Sequence, residues 1–119
     1  MKTRLNISPV LPVDDINNEI EFFNNLGFAS VYDSLQYSNQ LDYAVIEREN
    51  QCLHLQLIEK GSYQGQQIKI RVSNISSIEF ELSRSDLVFQ KNYDTLWNTH
   101  ELGLFSPSKH AIFFVQEIK

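Results

Sequence analysis

Two stretches about sixty residues apart in this chain of 119 repeat one another: VDDINNEIEFF from Val13 and VSNISSIEFEL from Val72. Each opens on a β-branched residue, passes an Asp or Asn able to cap a helix, and continues into Ile, Glu and Phe at helical spacing. An alternating apolar run precedes each, ISPVLPV in the first case and QIKIRV in the second. An internal period of half the chain constrains the fold more than any other feature, because the architecture must accommodate the same unit twice.

The first strand reads from Leu5 to Val13, with Ile7, Leu11 and Val13 on one face and Ser8, Val10 and Pro12 on the other. Its prolines suit an edge or a strand that need not donate every hydrogen bond. Asp14 or Asp15 caps a helix whose apolar stripe is Ile16, Ile20, Phe23 and Leu26, and Gly27 stops it. FASVYDS is a second strand, and LDYAVIERE and QCLHLQLIE are two more, joined by a tight turn at Glu49, Asn50 and Gln51. The glycine-containing KGSYQGQ separates the halves. QIKIRVS is then a strand, and Asn74 caps a second helix that turns Ile75, Ile78 and Leu82 inward. VFQK, THELGLFS and HAIFFVQEI close the chain, with Ser106-Pro107-Ser108 turning between the last two. The expectation is an α+β fold, a single domain over 1–119 built from two βαβββ repeats at about 1–60 and 66–119.

A helix covers one face of such a sheet and leaves the other bare. Two copies facing each other would enclose a groove lined by the residues that alternate with the helix-facing ones. Leu53, Leu55 and Leu57 would meet the helix, so Cys52, His54 and Gln56 would look into the groove. Gln67, Lys69 and Arg71 would do so from the fifth strand, Trp97, Thr99, Glu101 and Gly103 from the seventh, and Ala111, Phe113 and Val115 from the last. Phe22, Phe23, Phe80 and Phe114 are assigned to the core.

Ten basic against fifteen acidic residues leave a net charge of -5. Lys69 and Arg71 form the nearest thing to a basic cluster, so a nucleic-acid partner is not expected. The acidity either attracts a cationic ligand or serves solubility alone. No stretch approaches the ~20 apolar residues that span a bilayer, and MKTRLNISPVLPV lacks the apolar core of a signal peptide. The single Cys52 precludes an internal disulfide and fits a reducing compartment, so a cytoplasmic location is expected.

The run PVLPVDDINNEIEFFNNLGF resembles the opening of the glyoxalase, bleomycin-resistance and extradiol dioxygenase (vicinal oxygen chelate) superfamily. YAVIERENQCLHLQ, IRVSNI and WNTHELGLFSPSKHAIFF follow in the order and spacing of its bleomycin-binding branch, and the similarity covers essentially the whole chain. Two departures stand out: Asn98 where a glycine often follows the tryptophan, and Ser106-Pro107-Ser108-Lys109-His110 in place of an Asp-Pro-type turn.

The resemblance implies a strand-exchanged homodimer with ligand grooves at its interface. Metal-dependent members hold one divalent ion with a His on the first strand of each half and Glu on the closing strands. Those positions fall here on Ser8, Gln67 and Phe113, which cannot replace two imidazoles and a carboxylate. The implied function is therefore non-enzymatic, without cofactor: sequestration of a bulky cationic, aromatic antibiotic or a related small molecule. The alternative is a divalent-metal-dependent lyase, thiol transferase or dioxygenase that uses displaced ligands.

Candidate ligand contacts are Trp97, Glu101, His54, Arg71 and Phe113, with Ser8 at the old metal position and Tyr37 and Tyr63 in loops able to close the ends. Aromatic rings supply large, stiff contact area. Trp97 either offers such a surface or plugs the sheet. Glu101 either meets a cationic group or pairs with Lys69 or Arg71. His54 is a hydrogen-bonding residue or a metal ligand, and Cys52 beside it lacks the third group that a nucleophilic site would need.

Overall fold

The computed structural model describes residues 3–118. Its chain forms two compact units that divide between Tyr63 and Gln64.

In the first unit, β1 (Val10–Val13) leads into α1 (Ile16–Asn24), followed by β2 (Ala29–Asp33), a single 3-10 turn at Ser34–Gln36, β3 (Tyr43–Arg48) and β4 (Gln51–Leu57). The sheet order is β1-β4-β3-β2, with β1 parallel to β4 and the other pairs antiparallel. The second unit repeats it: β5 (Gln67–Arg71), α2 (Ile75–Ser83), β6 (Gln90–Asn92), β7 (Thr99–Phe105) and β8 (Ala111–Glu117), in the order β5-β8-β7-β6. The two βαβββ modules of an α+β fold are therefore present as read.

The repeat extends to register. Val10 pairs with His54 and Lys69 with Phe113, so both partners recur 59 positions later. The caps obey the same spacing. Asp15 accepts a hydrogen bond from the Asn18 amide and Asn74 from the Ser77 amide, each satisfying an amide that the first helical turn leaves open.

Each helix buries one stripe against its own sheet. In the first unit Ile16, Phe23, Leu26, Ala44, Ile46 and Leu55 are buried, and Phe23 meets both Phe22 and Phe28 edge-on, at 5.1 and 5.5 Å between ring centres. In the second, Ile75, Ile78 and Leu82 pack with Leu102, Leu104, Ile112 and Phe114, as the spacing predicts. The β3–β4 hairpin turns on Glu49 and Asn50, both at positive φ, which matches the twist of the strands it joins.

Several expectations change. The first strand begins at Val10 rather than Leu5, because Pro9 has no amide proton with which to extend the ladder; Ile7 and Ser8 are exposed. On α1 the buried stripe includes Glu19, and Ile20 is only half-buried. Residues 16, 19 and 23 fit a 3.6-residue period as well as 16, 20 and 23 do, and packing chose the former. Leu57 ends its strand exposed rather than against the helix. Phe80 lies outside the core, with the Arg84 guanidinium 5.5 Å from its ring centre. No helix among the described residues is long and apolar enough to cross a membrane.

Candidate functional site

The second unit presents a cavity of about 450 Å³ on the face of its sheet turned away from α2. Alternation along three strands builds it. Lys69 and Arg71 come from β5, Thr99 and Glu101 from β7, and Val115 and Glu117 from β8, while Trp97, Asn98 and Ile118 close one end.

Trp97 is 62% exposed, yet its direction is fixed. Its indole Nε1–H donates to Glu101 Oε2 at 2.7 Å, and the Thr99 hydroxyl donates to the same oxygen at 2.7 Å. The turn carrying the tryptophan is fixed in its own right. The Thr99 amide donates to Thr95 Oγ1, Thr95 Oγ1 donates back to the Thr99 carbonyl, and the Ile118 amide donates to the Asn98 carbonyl. Asn98 has φ of 60°, a left-handed conformation that glycine adopts freely and asparagine tolerates better than most residues. That conformation explains how Asn serves where the sequence resemblance leads one to look for Gly.

Charge in the cavity is balanced. Arg71 pairs with Glu117 at 3.2 Å. The Glu101 carboxyl is held below its ordinary value chiefly by the Thr99 hydroxyl; burial opposes this, and the Trp97 indole and the Lys69 charge add lesser pulls downward. Glu101 therefore pairs with neither Lys69 nor Arg71; it orients the tryptophan.

The structure gathers Trp97, Glu101 and Arg71 around one cavity. Phe113 is half-buried on β8 opposite Lys69 and Gly103, where the glycine leaves room for its ring. Gln67 is exposed at the start of β5. The remaining candidates belong to the first unit. His54 Nδ1 lies 2.7 Å from the Tyr43 hydroxyl, and Tyr63 donates to Asp14 Oδ2 at 2.9 Å. Tyr37 is exposed, its ring centre 6.0 Å from that of Tyr32, and Ser8 is exposed outside the strands. Cys52 approaches Glu47 at 3.8 Å. Among the described residues no three His, Cys, Asp or Glu side chains gather where they could hold a metal ion.

Glu117 lines the site although the sequence did not single it out, while Thr99 was expected on the groove face and Asn98 only as a departure from the family pattern. For Glu117 the signal was available: it continues the 111, 113, 115 alternation by one step. The two other histidines have structural roles. His110 is fully buried and accepts the Gln66 amide proton on Nδ1 at 2.9 Å, while His100 stacks on Tyr93 at 4.2 Å.

Compared with solved structures, the whole chain aligns. A bleomycin-binding protein complexed with bleomycin matches at a TM-score of 0.71 and 13% identity, over 97% of this chain and all of that one. The chain has the fold of the glyoxalase/bleomycin resistance/dioxygenase proteins. TnmS3, an antibiotic-binding protein from Streptomyces sp. CB03234, shares this fold at a TM-score of 0.75 and 15% identity, covering 99% of both chains. So does a lactoylglutathione lyase from Agrobacterium tumefaciens, at 0.73 and 10%, over 97% of this chain and 96% of that one. Binding proteins and an enzyme thus have this fold in common. No family model and no curated protein matches the sequence.

Proposed function

We propose that this chain is a non-enzymatic binding protein that sequesters an aromatic antibiotic or a related small molecule, and that it acts as a homodimer. The observation that carries the reading is Trp97, a solvent-facing indole locked in one orientation beside a cavity by Glu101. An exposed tryptophan is a large apolar surface, and one already ordered loses little conformational entropy when a planar ring stacks on it. Removing such a ligand from solution requires affinity and no chemistry. The bleomycin-binding and antibiotic-binding proteins of the same fold support this direction.

The test is an isothermal titration of chelator-treated protein with bleomycin and a panel of planar aromatic antibiotics. At least one should bind at about one molecule per chain without added metal, with W97A lowering its affinity by more than about tenfold. Absence of heat and of thermal stabilisation across the panel would sink the reading. The lyase of the same fold supports the alternative; a tightly bound divalent metal with turnover of a glutathione hemithioacetal would establish it.

A further inference from the structure

We infer that the ligand held against Trp97 carries an acidic group, and that the Lys69 ammonium selects for it. This rests on the reading of Trp97 as an aromatic platform and reverses the charge that the overall acidity of the chain suggests.

Four charged side chains line the cavity: Lys69, Arg71, Glu101 and Glu117. Two of them, Arg71 and Glu117, are joined at 3.2 Å and offset one another. Glu101 is engaged through Oε2 with two donors at 2.7 Å, and its charge already faces that of Lys69. A cationic ligand approaching Glu101 through its remaining oxygen would meet repulsion from Lys69 and Arg71, which line the same cavity.

Lys69 is placed differently. It is exposed on β5, in register with Phe113, and makes no hydrogen bond or ion pair with a described residue; it acts on Glu101 only through space. An ammonium on a flexible stem can bring its donors to an anion at little cost to the protein. The cavity therefore offers one stacking surface and one cation that makes no hydrogen bond or ion pair with a described residue, against a carboxylate that already holds two donors. The ligand class that fits is a planar aromatic acid, a carboxylate or sulfonate attached to a fused ring.

Three matched probes test this on the full chain: 2-naphthalenesulfonate, 2-naphthalenemethanol and 2-naphthylmethylammonium. Trp97 is the only tryptophan, so its fluorescence reports the site directly. The sulfonate should bind about fivefold more tightly than the alcohol, with the ammonium weakest. K69M should abolish the preference, so that the sulfonate and the alcohol bind alike, and K69E should turn it toward the ammonium. Lys69 is exposed, so both variants should keep the wild-type circular dichroism.

Equal binding of the three probes, or preference for the ammonium, would overturn the inference while leaving the aromatic platform standing. A preference for the sulfonate that survives in K69M would also overturn it. No perturbation of Trp97 by any probe would remove the platform and the inference together.

Discussion

At the scale of single residues, Trp97 and Glu101 operate as one device. The carboxylate of Glu101 is held below its ordinary value because the ionised form accepts the Thr99 and Trp97 protons. A group with a depressed folded pKa contributes stability above its unfolded value, and that contribution is lost as pH falls through the folded value. Trp97 fluorescence should accordingly hold steady as pH is lowered past 4.5, the ordinary value for this carboxyl, and change only below it. E101Q should remove that transition. It should also weaken aromatic ligands about threefold, because the indole is less firmly oriented. A second residue-scale expectation concerns Gly65, where an added Cβ would collide with the Lys109 backbone carbonyl. G65A should cost about 1–3 kcal/mol in urea unfolding, since a backbone atom cannot rotate away as a side chain can. Sequence reading found Trp97 and Glu101 but not what joins them. Strand alternation put both on one face; it could not show that a left-handed Asn98 turns the indole back to meet the carboxylate.

At the scale of elements, the repeat makes its own tests. Asp15 and Asn74 cap equivalent helices 59 positions apart, so D15A and N74A should each lower stability by about 1 kcal/mol, read from chemical denaturation. The second unit also ties its helix to its sheet through side chains. Tyr93, just after β6, donates to Glu79 of α2 at 2.8 Å and stacks on His100 of β7. Burial, and then Glu79, push the Tyr93 hydroxyl up to about 12 from 10.0. Its bond to Glu79 should therefore survive to higher pH than an ordinary phenol allows and fail as pH rises through about 12. Part of the tyrosinate absorbance should develop only as pH rises through about 12, and Y93F should lose that part. Elements of this kind were largely legible, since caps and period-two alternation are local signals. Their ends were less so. Pro9 shortened β1, and the buried stripe of α1 took in Glu19 instead of Ile20.

At the scale of the whole molecule, the proposed homodimer predicts twice the chain mass in light scattering at micromolar concentration. A single-chain mass across a wide dilution series would dismiss it. Phe80 shows the limit of reading aromatic content without position: it stands on the face of α2 opposite Ile75, Ile78 and Leu82, and it is exposed beneath Arg84. What the sequence determined by itself was the doubled βαβββ plan, because cap chemistry and hydrophobic period act within a few residues and recur at a fixed spacing. What only the tertiary structure decided was the working surface. Lys69, Arg71, Trp97, Glu101 and Glu117 come from three strands and a turn. Which charges cancel, which bonds are taken and which cation is left depends on distances of a few ångströms across those strands. Electrostatic and hydrogen-bond energies change over such distances, and no local pattern in the chain encodes them.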